Sequence, residues 1–118
     1  MSYFPPEVLD SGTGKLNSDD VTTAQAIVGA EAVADQKHYI TSLILSVAVG
    51  GIYWIEDDDG VIVTGEFNLA SKGGVSWACP KDSPLIAPTV NKGLKVKGSV
   101  AGKVGCTITF YTKEPTVL

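Results

Sequence analysis

The segment IYWIEDDDGVIVTGEF, residues Ile52–Phe67, places four consecutive acids and a glycine between two apolar runs. Both runs are rich in β-branched and aromatic residues, which are typical of strands. Aspartate and glycine tolerate the positive φ angles that tight hairpin turns need. The segment therefore predicts a β-hairpin, in which a two-residue turn at Asp59-Gly60 joins strands Ile52–Glu56 and Val61–Phe67.

The same four acids raise the question of a calcium site. An EF-hand loop needs acids at its first, third and fifth positions, glycine at its sixth and glutamate at its twelfth. With Gly60 at the sixth position, Ile55 falls at the first, where it cannot coordinate a cation. The flanking runs also have the character of strands, whereas an EF-hand loop lies between helices. We therefore predict a turn and no metal ligands, with a weak adventitious calcium site as the alternative.

Alternation of apolar and polar residues extends the β pattern beyond this hairpin. It is clearest over Tyr39–Ser46, Leu94–Ser99 and Cys106–Tyr111. Glycine-containing breakers separate the runs at a spacing that is typical of all-β sandwiches. The predicted strands lie in the segments TTAQAIVGAEAV, HYITSLILSVA, GIYWIE, GVIVTGEF, GGVSWAC, SPLIAPT, GLKVKGSV and GCTITFYT.

These strands predict an all-β chain with two regions. Residues 21–118 form a single jelly-roll-like β-sandwich of about eight strands, and residues 1–20 form an extended N-terminal arm. The arm shows neither helical nor strand periodicity and contains glycines and prolines, which favour loops. Residues 18–35 could instead begin with a helical turn capped by Ser18 or Asp19, although their threonines and valines favour a strand.

The arm also carries large apolar side chains, which are unfavourable to leave in water. Two consecutive prolines hold the middle of this segment extended. We predict that the arm packs on a neighbouring chain or folds back onto its own domain. The candidate interface residues are Tyr3, Phe4, Pro5, Pro6, Val8 and Leu9.

Composition and charge argue against several classes of protein. The net charge is −4 and none of the nine basic residues is an arginine, the side chain that best recognises phosphate. The only lysine cluster, Lys92-Lys95-Lys97, alternates along a predicted strand, so we predict no nucleic-acid binding. The longest apolar run, Tyr39–Ile55, is interrupted by polar residues and glycines, so we predict no membrane span. The first residues lack the features of a secretory signal, so we expect a cytosolic origin.

No segment combines residues in a catalytic, cofactor-binding or metal-ligating pattern, and we predict that the protein is not an enzyme. His38 is the only histidine, and acid–base or nucleophilic catalysis would require a positioned partner. The segment SGTGK lacks the spacing of a phosphate-binding P-loop. Aromatic residues at alternating strand positions could line a ligand pocket but more often form core or subunit contacts. They are Tyr53, Trp54, Phe67, Trp77, Phe110 and Tyr111.

The chain has two cysteines, Cys79 and Cys106, whose spacing matches no zinc ligand set. A cytosolic origin favours free, buried thiols. A disulfide is the alternative, because neighbouring strands could bring the two sulfur atoms together.

Three segments follow one another along the second half of the chain: TGEFNLASKGG (Thr64–Gly74), GLKVKGS (Gly93–Ser99) and KVGCTITFY (Lys103–Tyr111). In this order they resemble the glycine turn, inner strand and closing strand of the small jelly-roll proteins found in tailed-phage structural gene clusters, the head decoration or cement proteins. The resemblance extends from about Ala30 to Thr112. The loop CPKDSPLIAPTV departs from the family pattern, and the N-terminal arm has no counterpart in it.

The resemblance implies a non-enzymatic virion structural protein, made in the host cytoplasm, that binds the outer surface of a phage capsid and stabilises its lattice. The implied partners are the major capsid protein and further copies of the chain in a homotrimer, without cofactor, nucleic acid or membrane. An acidic chain without arginine also suits the outside of a DNA-filled shell. The alternative is a tail, neck or fibre component on the same fold, with carbohydrate binding at an exposed Trp54 or Trp77.

Overall fold

The computed structural model describes residues 10–29, 37–79, 84–86 and 92–113. Within these ranges the chain forms nine strands and no helix, so the prediction of an all-β fold is confirmed. The strands are β1 (Asp10–Asp20), β2 (Gln25–Val28), β3 (Lys37–Val47), β4 (Gly51–Asp57), β5 (Phe67–Leu69), β6 (Gly74–Ala78), β7 (Leu85–Ile86), β8 (Leu94–Gly98) and β9 (Ala101–Lys113).

The strands form two antiparallel sheets that pack as a sandwich around one core. The larger sheet has the order β1-β9-β3-β6, with β7 also pairing with β3, and the smaller has the order β2-β8-β4-β5. Several pairings are nested along the chain, because β4 pairs with β5, β3 with β6, β2 with β8 and β1 with β9. The first and last of the described strands, β1 and β9, therefore lie side by side in the larger sheet.

The first strand corrects the predicted boundary between arm and domain. The sequence predicts Asp10–Asp20 as part of the arm, but this segment pairs with β9 and forms the edge of the larger sheet. The positions of β1 that face the core include Gly12 and Gly14, so the strand lacks an apolar alternation. A Cβ on Gly14 would lie only 2.6 Å from the carbonyl oxygen of Ile27, which explains why glycine is needed there. Residues 1–9, with all six candidate interface residues, lie outside the described ranges.

A β-bulge at Thr41 changes the alternation predicted for β3. Pairing with β9 shifts by one residue between Ile40 and Ser42, so Thr41 is the extra residue. Ile40 and Leu43 consequently both reach the core, although three positions separate them. The opposite face of the strand carries Tyr39, whose ring stacks on that of Tyr111 with centroids 5.1 Å apart.

The centre of the sandwich is apolar and completely buried. Tyr53 is its largest side chain, and it lies on Gly98 of the neighbouring strand, with which it is paired. Its hydroxyl reaches the end of the core and donates a hydrogen bond of 2.6 Å to the carbonyl oxygen of Val49. The ring is therefore held at both ends. The other fully buried apolar residues are Val21, Ile40, Leu43, Ile55, Leu94, Val96 and Ile108.

The contact between Tyr53 and Gly98 predicts a large cost for one added methyl group. The Cβ of Gly98→Ala would lie 2.7 Å from Cε1 of Tyr53 and 3.1 Å from Cγ2 of Val21. Because the ring cannot move without losing its hydrogen bond, we expect a loss of about 1–3 kcal/mol in the free energy of unfolding, measured by urea denaturation.

Gly65→Ala is the matched control, because no atom lies within 4 Å of its added Cβ. We expect that variant to differ from the native chain by less than about 0.5 kcal/mol. Equal stabilities of the two variants would show that Tyr53 is not fixed against Gly98.

Candidate interaction surface

The two sheets end side by side at one open edge of the sandwich. The last strand of the smaller sheet is β5, which has only three residues, and the last main strand of the larger sheet is β6. Between these two strands lies a cavity of roughly 400 Å³ that opens to solvent. It is lined mainly by apolar side chains, namely Val63, Phe67, Val75, Trp77 and Leu85.

Exposed apolar residues adjoin this cavity along the chain. Val61 and Ile62 precede Val63 and are 45% and 43% exposed, and Ile86 follows Leu85 and is 48% exposed. We call these three residues and the five that line the cavity the apolar edge. Exposed apolar side chains beside an open apolar cavity are a common feature of surfaces that associate with another apolar surface.

The aromatic residues singled out in the sequence divide between core and surface. Tyr53 is fully buried, and Tyr111 is also buried, in a stack on Tyr39. Phe67 and Trp77 lie in the apolar edge, where each is partly exposed. Trp54 is partly exposed on the smaller sheet, and its indole Nε1 donates a hydrogen bond of 2.9 Å to Glu56.

The acidic segment is a hairpin loop, but a longer one than predicted. The amide of Gly60 donates to the carbonyl of Asp57, and the amide of Asp57 donates to the carbonyl of Val61. The loop therefore contains Asp58, Asp59 and Gly60, with Gly60 at a φ of 81°. This is the three-residue hairpin loop that ends in a left-handed glycine, and the predicted two-residue turn is wrong. The predicted strand over Val61–Phe67 is also wrong. Between the hairpin loop and β5 the chain forms only an isolated bridge, from Ile62 to Glu56.

Each of the four acids makes a contact within the protein. Glu56 accepts the hydrogen bond from the indole of Trp54. Asp58 accepts a hydrogen bond of 2.8 Å from the amide of Gly93, and Asp59 forms an ion pair of 3.4 Å with Lys92. These contacts join the hairpin loop to the chain that leads into β8.

Asp57 is fully buried and organises the loop from inside. Its Oδ1 accepts hydrogen bonds from the amides of Asp59, at 2.8 Å, and Val61, at 3.0 Å. Its Oδ2 makes no hydrogen bond with any residue that the structure describes. A carboxylate is thus retained in the core because one of its oxygens satisfies two amides that the loop geometry leaves unpaired.

His38 has a structural position between the two sheets. It is buried, its Nε2 lies 2.8 Å from the carbonyl oxygen of Gly29, and its Nδ1 lies 2.8 Å from the hydroxyl of Thr112. Because a carbonyl oxygen only accepts, Nε2 carries the proton, and Nδ1 accepts from Thr112 in the neutral ring. The ring also packs against that of Phe110 in a T-shaped arrangement, with the centroids 5.2 Å apart. His38 therefore links the end of β2 to β3 and β9.

Cys79 and Cys106 are free thiols, as predicted, and the register shows why they cannot pair. Cys106 is paired with Leu45 on one side of β3, whereas Cys79 donates its amide to Thr41 on the other side. The offset from Thr41 to Leu45 alone is about 13 Å, beyond the roughly 7 Å limit for the Cα atoms of a disulfide.

No protein-family model matches this sequence, and no curated protein matches it. The described part of the chain contains no helix with the length and hydropathy needed to traverse a bilayer. In the same residues, no three His, Cys, Asp or Glu side chains converge in a manner that would hold a metal ion.

Because Asp57 accepts two hydrogen bonds inside the fold, we expect its side chain to stabilise the protein more than that of Asp59 does. Asp57→Ala leaves the amides of Asp59 and Val61 without their acceptor, and we expect a loss of about 2 kcal/mol in the free energy of unfolding. Asp57→Asn keeps an acceptor oxygen and should lose less. Urea denaturation of the native chain and of the two variants measures their free energies of unfolding.

Asp59→Ala is the control for loss of a carboxylate in the same loop. Its ion pair with Lys92 is at the surface, so we expect a change below about 1 kcal/mol. A larger loss for Asp59→Ala than for Asp57→Ala would contradict the role assigned to the buried oxygen.

Burial raises the pKa of the Cys106 thiol to about 12. In the unfolded chain the pKa is about 8.5, so the stability that this thiol contributes is full below that pH and declines as the pH rises towards the folded value. In a Cys79→Ser chain at pH 8, we expect iodoacetamide to label Cys106 slowly when the protein is folded and rapidly in denaturant. Rapid labelling of the folded chain, followed by mass spectrometry, would contradict the buried, protonated thiol.

Proposed function

We propose that this chain is a non-enzymatic virion structural protein that binds the outer surface of a phage capsid, as a decoration or cement protein. The single observation that carries the proposal is the strand order of the two sheets. The nested pairs β4–β5, β3–β6, β2–β8 and β1–β9 are what a jelly-roll ribbon requires, and this supports the jelly-roll assignment.

The segments that resemble decoration proteins fall, in order, on strands and turns of this ribbon. TGEFNLASKGG contains β5 and the turn that leads into β6, GLKVKGS contains β8, and KVGCTITFY lies within β9. The resemblance thus follows the strand and turn framework rather than isolated residues. Because one fold serves many functions, the framework supports the proposal, and capsid binding needs its own test.

The proposed attachment uses the N-terminal arm. Asp10 begins β1 and pairs with Thr112, so the sheet fixes the point from which residues 1–9 extend. A fixed origin and the two prolines both lower the conformational entropy lost when the arm binds. Its apolar residues supply the binding free energy, at about 1.5–3 kcal/mol for each large side chain that is fully buried.

The apolar edge supports association between copies of the chain in the proposed homotrimer. A neighbouring subunit against Phe67 and Trp77 would remove from water the apolar surface that one chain leaves exposed. It would also cover β5 and β6, which end their sheets. Symmetric association is a common way to cover such edges.

One observation favours the alternative of a tail, neck or fibre component that binds carbohydrate. Trp77 is partly exposed beside an open cavity, where its ring could stack on a sugar. Binding of neutral saccharides that quenches tryptophan fluorescence, without binding to capsids, would favour this second function.

We expect the arm to carry most of the binding free energy to the capsid. The test replaces Tyr3, Phe4, Val8 and Leu9 with serine in the full-length chain, which leaves β1 intact. Loss of these four side chains should weaken binding to undecorated capsids by several orders of magnitude, since each tenfold step corresponds to about 1.4 kcal/mol. Cosedimentation with capsids, followed by electron microscopy, measures the occupancy.

Ile44→Ser is the matched control, because Ile44 is an apolar residue 56% exposed on the larger sheet, outside the arm and the apolar edge. It should bind capsids normally, and all variants should melt like the native chain. Normal binding by the folded serine variant would refute the arm and move the contact to the apolar edge. Absence of binding by the native chain would refute the decoration function itself.

A further inference from the structure

A second, polar cavity lies on the outer face of the larger sheet, away from the apolar edge. It has a volume of roughly 720 Å³ and opens to solvent between β1, β3, β9 and the turn before β6. Its polar lining includes Asn17, Asp19, Ser46, Lys72 and Lys103. We call it the polar cleft.

The floor of the polar cleft is a glycine between two polar side chains. Gly105 of β9 is paired with Asn17 on one side and with Ser46 on the other, so the three residues form one row across the sheet. A Cβ on Gly105 would lie 3.3 Å from the hydroxyl oxygen of Ser46 and 3.5 Å from Oδ1 of Asn17. The amide and the hydroxyl therefore converge over an open floor, and neither forms a hydrogen bond with another described residue.

Backbone hydrogen bonds hold two lysines next to Ala48, the residue that follows β3. The amide of Ala48 donates a hydrogen bond of 2.9 Å to the carbonyl of Lys103, and the carbonyl of Ala48 accepts one of 3.3 Å from the amide of Lys72. Both ammonium groups are exposed and, among the described residues, neither forms an ion pair. The fold thus brings two lysines to a cavity whose lining also holds Asp19, and neither lysine forms an ion pair with that carboxylate.

Lys72 occupies a backbone conformation that normally belongs to glycine or asparagine. Its φ is 59°, in the turn closed by the hydrogen bond of 2.9 Å from the amide of Gly73 to the carbonyl of Ala70. This backbone conformation is unfavourable for a residue that has a Cβ. The fold is thus less stable with a lysine here than with a glycine, and the chain nevertheless has a lysine in the lining of the polar cleft.

We propose that the polar cleft binds a hydroxylated carboxylate, such as one uronic acid unit of an acidic saccharide. The two ammonium groups complement the carboxylate, and the side chains of Asn17 and Ser46 can donate to and accept from sugar hydroxyls. The carboxylate of Asp19 accepts from hydroxyls but repels a compact dianion, so the lining favours a sugar acid over inorganic phosphate. Converging polar groups in a cavity of this size are typical of a small-ligand site.

The test titrates the ¹⁵N-labelled full-length chain with D-glucuronate and follows amide chemical shifts. We expect shifts at Asn17, Ser46 and Gly105, and roughly tenfold weaker binding when either charge is removed, in Lys72→Gly or in Lys103→Gln. Lys72→Gly should also melt at the same or a higher temperature, because glycine relieves the left-handed backbone. If Lys72→Gly binds more weakly but is no less stable than the native chain, then Lys72 acts in ligand binding and not in folding.

Lys97→Gln is the matched control, since it removes the same charge from β8 of the other sheet. It should bind D-glucuronate like the native chain. The proposal fails if D-glucose or inorganic phosphate binds as tightly as D-glucuronate, if Lys97→Gln weakens binding as much as Lys103→Gln, or if the three amides do not shift. The inference stands apart from capsid binding, so neither result decides the other.

Discussion

β9 is paired with β1 on one side and with β3 on the other. The register of these two pairings decides which residues of the larger sheet lie next to one another. The β9 side chains from Val104 to Ile108 that face the core are buried, so each neighbour must fit against them. β3 supplies a large residue, Leu43, opposite Ile108, whereas β1 supplies Gly14, because the backbone of β2 crosses closely there. The other face of the same ladder sets Asn17 beside Gly105. The same strand register therefore determines both the packing of the core on one face of the sheet and the residues of the polar cleft on the other face.

Strands were predictable where one face is buried and the other is not. In β8, Leu94 and Val96 are buried and the lysines between and after them are partly exposed, so the period of two is visible in the sequence. β1 was missed because two of its inward positions are glycines, which contribute no apolar signal. The bulge at Thr41 was missed because an extra residue changes the face of the strand without changing its composition.

A functional or structural site could be predicted from the sequence only where residues adjacent in the chain determine it. The turn at the acidic segment follows from Asp-Gly, but its length depends on the hydrogen bonds that the side chain of Asp57 makes inside the fold. The apolar edge depends on which strands end the sheets, and that order is not a local property. Lys72 and Lys103 show no common pattern in the sequence, because only pairing at the end of β3 brings them together. The contacts of the arm remain a prediction.

The nesting of the strands has a consequence for biosynthesis. Among the described strands, β1 is the first to leave the ribosome and its partner β9 is the last, so β1 is without its native neighbour until β9 has been synthesised. A strongly apolar strand would be liable to mispair or aggregate during that time. The composition of β1, DSGTGKLNSDD, keeps it hydrated until β9 emerges. The low strand propensity that hides β1 in the sequence thus also suits a strand that cannot pair until β9 has been synthesised.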